Sequence, residues 1–529
     1  MRRRSARAPL PLEAIGQARQ GRVTRSQSAA IVLLAVVAGA VSWTLLRLHQ
    51  HELVAQALAA LKPERIRTQL EKSIRETYDR DAADARTLGD GKQRQPALRD
   101  AAQARDQKLA HLDEVPGSIS RTIASGDFSP EFLELTHLLQ EQGIDAALTY
   151  LSQQESRLLG PENRWLTMRQ REIRRTLAPF LEGVRLHRVR GDLAEAERLC
   201  TKLLAADADW AEAREQHVAT LLARGDRALS DERPTMAWQR FTSARISAER
   251  LVQLDPVNPA WQRDLWLSND RLAEMVKKTN YFVAARDLYI QNFEIAKKRA
   301  AADSADPQAQ HDLMTSYVGL SRFSSAAADY YQQSLAIAKK LAAADPASTE
   351  AERDLAAMYE NMGSVSSRPN AREYYQQSLE IRNRLAAADP ANDQAQRELS
   401  VIYERLGSAN LQPGHFDAAR EFHRQSLEIR KKLATADPAD PQTQRDLIAS
   451  YNGLGDVSRE MHRFDAARED YQRGFDIAQK LAAADPADAQ AELNLSDSYR
   501  KLAQLYSGAE DFERAVQNYE RQISVLKRM

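Results

Sequence analysis

From about Phe128 onward, apolar residues recur at intervals of three and four, and no stretch alternates apolar with polar in the manner of a strand. The pattern predicts an all-α chain. It also repeats. The run His415-Phe416-Asp417-Ala418-Ala419-Arg420 returns as Arg463-Phe464-Asp465-Ala466-Ala467-Arg468 and again as Asp511-Phe512-Glu513-Arg514-Ala515, each copy at the same offset from the last. Aligning the small residue of this motif gives Ala147, Ala196, Ala237, Ala285, Ala327, Ala371, Ala419, Ala467 and Ala515, with steps of 49, 41, 48, 42, 44, 48, 48 and 48. A second series, the Asp that closes an Ala-rich stretch, falls at Asp255, Asp303, Asp345, Asp389, Asp437 and Asp485. It shrinks at the same two places, with steps of 48, 42, 44, 48 and 48. A fixed period of this size marks a solenoid of supersecondary units.

Each unit reads as a helix hairpin. Pro390, Pro438 and Pro486 follow the closing Asp, where proline stops a helix. The Ala-rich approach, such as Lys480-Leu481-Ala482-Ala483-Ala484, favours helix. Small residues are required where paired helices approach closely. An aromatic four residues on shares their face and is expected to pack into the neighbouring hairpin. The shortened periods are expected to lose residues in the turn inside the hairpin, as Leu320-Ser321-Arg322-Phe323 does beside Leu454-Gly455.

These positions resemble the tetratricopeptide repeat. Tyr451, Leu454, Gly455, Ala467, Tyr471 and Gly474 fill the aromatic, Leu-Gly, small, aromatic and small places of that family. Tyr403, Leu406, Gly407, Ala419, His423 and Ser426 do the same, with His423 in place of the second aromatic. Weaker copies keep Leu272, Ala285 and Tyr289, and Tyr499, Leu502, Ala515 and Tyr519. The period is longer than the family's usual 34, which implies two added turns on each helix, as in long-repeat bacterial multi-repeat proteins. The resemblance covers residues 128–529 and implies a superhelix of about nine hairpins that binds a protein or peptide. It does not extend to carboxylate clamps, because no Lys/Asn/Arg set recurs on the first helices: Asp456, Ser408 and Gln504 stand in matching places. By helix phase, the positions two residues before the signature Leu are expected to be exposed on a partner groove: Asp270, Glu404, Asn452 and Arg500.

The N-terminal part is different. Ala29 to Leu46 is an uncharged run just long enough to span a bilayer as a helix, with Trp43 placed as an interfacial anchor. Arg2, Arg3, Arg4, Arg7, Arg19, Arg22 and Arg25 precede it against Glu13 alone. The positive-inside rule then keeps residues 1–28 cytoplasmic and sends the rest across an inner membrane, into the periplasm or an equivalent extracytoplasmic space. A cleaved signal peptide is the competing reading, because Ala38-Gly39-Ala40 resembles a cleavage site; the apolar run continuing beyond it favours an anchor. Residues 47–116 read as a membrane-proximal helical stalk, interrupted at Pro63, Gly89-Asp90-Gly91-Lys92 and Val115-Pro116-Gly117. Self-association is expected through the stalk or the C-terminal hairpin.

Composition narrows the function classes. The 74 basic and 74 acidic side chains cancel, so nothing points to nucleic acid. Cys200 has no partner for an intrachain disulfide and sits in an apolar stripe. No H-E-x-x-H, G-x-S-x-G, Walker lysine motif or Cys pair occurs. His49 and His51 lie on different faces of a helix, a poor arrangement for a metal. No catalytic residue, cofactor or metal is therefore expected, and the chain reads as a non-enzymatic, membrane-anchored interaction scaffold. The alternative is an accessory or sensory subunit of a separately encoded signalling enzyme.

Overall fold

A computed structural model describes residues 52–528 apart from short stretches, the longest being 88–100 and 160–169. The expected anchor, residues 29–46, lies outside the described residues. Among the described residues the fold is helical throughout, and no helix is long and apolar enough to cross a membrane.

The chain divides into two compact units. The first joins the residues up to 73 to 109–189. It holds the start of α1 (Pro63–Thr87), then α2 (Glu114–Ser125), α3 (Pro130–Glu141), α4 (Ile144–Leu158) and nearly all of α5 (Gln170–Arg190). Two expectations are corrected here. The start of α1 is not a free-standing stalk: Ile66 and Leu70 are fully buried, the Arg65 guanidinium pairs with Glu141 at 2.7 Å, and the Lys62 amide donates to Gln140. Val115-Pro116-Gly117 does not end a helix but lies in the first turn of α2, where proline's missing N–H costs nothing. Likewise α1 begins at Pro63. The Gly89–Lys92 segment lies outside the described residues.

The second unit, residues 74–108 and 190–529, contains the repeats. After α6 (Leu193–Ala206) come seven hairpins: α7 (Ala211–Ser230) with α8 (Pro234–Leu254), α9 (Pro259–Lys277) with α10 (Phe282–Ala302), α11 (Pro307–Ser321) with α12 (Ala327–Ala344), α13 (Thr349–Val365) with α14 (Arg368–Ala388), α15 (Asp393–Ala409) with α16 (Phe416–Ala436), α17 (Pro441–Glu460) with α18 (Phe464–Ala484), and α19 (Ala489–Gly508) with α20 (Phe512–Arg528). The first and second helix of each pair are termed A and B. Of the nine units read from the sequence, the remaining two fall on α3–α4 in the first unit and on α5–α6, which the division separates. The added length lies in the helices, 20 residues in α17 and 21 in α18.

The joint between hairpins explains the Asp series. The backbone N–H of Asp255, Asp345, Asp389, Asp437 and Asp485 closes its B helix by donating to a Leu carbonyl four residues back. The carbonyl of each of these Asp residues then accepts from the residue three further on, at the start of the next A helix. Ser348, Asn392, Asp440 and Asp488 use their side chains to accept from the free N–H groups of that first turn. These repeats are thus stitched to one another by one short, well-bonded turn.

The core follows the small and aromatic positions. Ala285, Ala419 and Ala467 are fully buried and Ala515 nearly so. Opposite them, the A helices carry Gly363, Gly407 and Gly455 against Tyr375, His423 and Tyr471. A Cβ on Gly455 would stand 2.5 Å from the Tyr471 ring, so the absence of a side chain sets the helix spacing. Tyr289 and Tyr471 are buried, and Leu406 and Leu502 nearly completely. Tyr403, Tyr451 and Leu454 are half-buried; Tyr403 stacks on Phe422, its centroid 6.3 Å away. Two members of the alignment depart from it. Ala327 is only half-buried, because α11 and α12 are shortened to 15 and 18 residues; the loss expected in the turn is taken from the helix ends instead, and the turn itself, 322–326, is longer than 461–463. Tyr519 is exposed rather than packed, because no described helix lies beyond α20.

Candidate partner-binding face

Consecutive A helices touch one another (α7 with α9, α15 with α17, α17 with α19), whereas consecutive B helices make no comparable contact. The A helices therefore lie side by side along the inner side of the repeat unit.

That face carries a ladder of charge. Counting from the closing Asp, the eighth residue of one repeat reaches the ninth of the next at three joints, while at the joint among them where the ninth is Glu398 that carboxylate goes to Arg382. Arg263 approaches Asp312 at 3.7 Å, His311 Nε2 meets Asp354 at 3.2 Å, and Arg397 pairs with Asp446. Arg445 continues it by bonding Asp488, the cap of the following helix. The carboxylates of Asp312 and Asp354 on either side push the His311 imidazole up to about 10 against the effect of burial, so it is a cation at neutral pH. The ladder stops at Leu493, an exposed apolar residue where its predecessors are basic.

Beneath it runs a second set of pairs, between A and B helices. Arg430 is almost completely buried. It bonds Glu404, the hydroxyls of Ser400 and Ser450 at 3.1 and 3.0 Å, and the Asp446 carbonyl at 2.8 Å. Arg382, one repeat earlier, pairs with Glu360 at 3.1 Å and with Glu398. Buried guanidinium groups of this kind are tolerated only when their donors are satisfied, and these are bonded on several sides.

The four positions expected on the groove meet this network in different ways. Glu404 is half-buried and held by Arg430. Arg500 is half-buried and bonded to Asp497 and Gln504 on its own helix. Asp270 is half-buried beside Arg271; burial pushes its carboxyl up to about 6, with Arg271 opposing. Asn452 is buried, not exposed, and its Oδ1 faces Gly474 without a hydrogen-bond partner. The exposure expected for Asn452 is corrected: two residues before Leu is a position in the seam between A and B helices. The same position in α13 is Glu360, which sequence reasoning missed although it stands one step of the Asp series before Glu404. Arg382 and Arg430 were missed too; their separation by one full period was the available signal.

At the turn edge, a cleft of about 750 Å³ is lined by Arg368, Pro413, Phe416, Met461 and His462. Among the described residues no group of His, Cys, Asp and Glu side chains is arranged to hold a metal ion. Cys200 is buried in α6.

Stacked hairpins with an A-helix face and small–aromatic seams define a helical-repeat protein. The repeat is of the tetratricopeptide type: residues 447–488, from the middle of α17 to the cap of α19, match the family model described as tetratricopeptide repeat. Several solved structures align with the chain at low identity. A tetratricopeptide repeat protein of Parabacteroides merdae is 13% identical, over 61% of this chain and 98% of that one, with a TM-score of 0.34. A thermophilic protein with the same repeat, from Thermus thermophilus, is 16% identical over 44% and 98%, with a TM-score of 0.27. Aspartyl phosphate phosphatase F of Bacillus subtilis is 16% identical over 74% and 92%, with a TM-score of 0.39. No curated protein matches the sequence.

Proposed function

We propose that the chain is a membrane-anchored scaffold whose A-helix face binds a protein partner. The observation that carries this reading is the charge ladder from Arg263 to Arg445 along the A helices, whose basic side chains stay partly exposed while Asp312 and Asp446 are buried beneath them. Its members already neutralise one another, so the face is polar without a large net charge, and a polar segment with its own mixed charge fits it better than an apolar peptide. The anchor is residues 29–46, with 1–28 in the cytoplasm and the repeats on the far side of an inner membrane.

Two experiments test the reading. A photo-crosslinking residue at Arg263 or Leu493 of the full chain in intact membranes should yield adducts with one protein, and the same residue at Arg468, on the exposed side of α18, should not. Equal adducts from all three sites would remove the A face as the binding surface. A reporter active only outside the cytoplasm, fused after Met529, should be active; a silent fusion, with a cytoplasmic reporter working at the same place, would reverse the topology and place the partner in the cytoplasm.

A further inference from the structure

The last helix carries a stripe that the other helices do not. Phe512, Val516, Tyr519, Ile523 and Leu526 of α20 are all exposed, between 39% and 64%. Their spacing is four, three, four, three, the strict seven-residue alternation of a helix that pairs with another helix. The adjoining face of α20 is already used: Ala515, Asn518 and Val525 are buried against the body of the hairpin.

Comparison with the preceding B helices shows what would cover it. In α18, Phe464, Tyr471, Phe475 and Ala478 pack against α19. Phe512, Tyr519, Ile523 and Leu526 occupy the same places one repeat later, but Val516 takes a place held by Arg420 and Arg468, which stay exposed although a hairpin stacks beside them. A further hairpin of the same kind would therefore leave Val516 in water. A helix lying along the seven-residue seam would cover Val516 together with Tyr519, Ile523 and Leu526.

We propose that this helix is α20 of a second copy, running antiparallel about a two-fold axis. The charges beside the stripe favour that arrangement. On the edge next to the seam stand Glu513, Glu520 and Lys527, all exposed and spaced at the same seven-residue interval. Antiparallel pairing brings Glu513 of each copy opposite Lys527 of the other, twice, and seats Val516 against Leu526 and Tyr519 against Ile523. It also opposes Glu520 to its own copy at the axis, one repulsion between two attractions. A parallel pair would leave Glu513 and Lys527 apart at opposite ends, about 20 Å from each other at helical rise.

The test uses the full chain in detergent micelles, by sedimentation and by disulfide crosslinking in a Cys200→Ser background. The expected result is a dimer that Ile523→Glu, a change at an exposed position, converts to monomer with the helical signal unchanged. Glu513→Lys should weaken association tenfold or more, adding Lys527→Glu should restore it, and Glu520→Gln should tighten it. Glu513→Cys should crosslink to Lys527→Cys in mixed dimers and poorly to itself. A wild-type monomer at micromolar concentration would overturn the proposal, whether the stripe is then covered by a different protein or by further chain. So would a dimer indifferent to Ile523→Glu, or efficient self-crosslinking through Glu513→Cys. Partner adducts on the A face are read separately, so loss of one result leaves the other standing.

Discussion

His423 stands where Phe241, Tyr375 and Tyr471 stand in other hairpins, wedged between Gly407 and Gly453. Burial pushes its imidazole down to about 4, and burial does the same to His217 in α7. The sign follows: both rings stay neutral in the fold while the unfolded chain protonates below its ordinary value near 6.5. Stability is therefore complete above about pH 6.5 and falls as pH drops toward 4. His311 works in the opposite sense. Raised to about 10, its stabilising charge is complete below pH 6.5 and is lost as pH rises through 10. The orphaned His423 Nδ1 adds a desolvation cost that phenylalanine would not have. His423→Phe should thus raise stability at pH 7 and remove on the order of 2–3 kcal/mol of the loss between pH 7 and 4.5, seen by urea unfolding at both values. An unchanged pH dependence would mean that His423 is not neutral in the fold. The aromatic place was legible in the sequence, because it repeats. The consequence of a histidine there was not, because it depends on two glycines from different helices closing over the ring.

At the scale of the element, the turn from A to B helix in the last three hairpins uses one left-handed residue. It is Gly414 in one repeat, His462 in the next and Glu510 in the last, with φ of 84°, 56° and 62°. Each stands one full period after its predecessor. The backbone therefore demands this conformation irrespective of the residue, and only the first copy meets it with glycine. A side chain there costs about 1–2 kcal/mol, against the extra freedom glycine loses on folding. His462→Gly should raise stability by about 0.5–1 kcal/mol in thermal or urea melts. A loss would show that the His462 ring, which lies edge-on to Phe464, matters more than the strain. Helix identity and hairpin order were legible because periodicity, capping residues and prolines agree. The N-terminal stretch was less so. Nothing local in Ile66 and Leu70 says whether their apolar stripe meets another copy, as in a stalk, or the rest of its own unit; that depends on Glu141 and Gln140, far along the sequence. The exposure expected of Asn452 failed for a related reason. Counting from Leu gives the phase of a residue around its helix but not its depth, and the Arg430 that claims Glu404 arrives from the neighbouring helix.

For the whole molecule, a common period built from one kind of joint makes the repeats interchangeable units. Stability is then close to a sum over hairpins and their neighbours. Removing residues 438–485 would join Asp437 to Pro486 and rebuild the same joint with the next copy. Arg397 would find Asp488 where Asp440 had been, and Asn494 in place of Asp446. The shortened chain should keep its helical signal per residue and unfold with a proportionately smaller denaturant slope. Removing only 438–471, the length of an ordinary tetratricopeptide repeat, should lose cooperative unfolding. Equal behaviour of the two deletions would show that the longer repeat is not the folding unit.

The closing Asp and the start of the next A helix are separated by four positions at every joint of the seven hairpins, from Asp207 and Ala211 to Asp485 and Ala489. Variation in period is confined to the rest of the hairpin, around the A-to-B turns at the opposite edge. One margin of the repeat unit is thus a spine of fixed gauge, and the other a fringe whose tassels can be cut to different lengths. Lengthening such a turn costs little closure entropy, about 0.6 kcal/mol for each doubling. New sequence grafted onto the fringe, at the turn after Glu460 for instance, would leave the spacing of the charge ladder untouched. Descendants of this chain could diversify along that margin while the face between the A helices kept the same ruler.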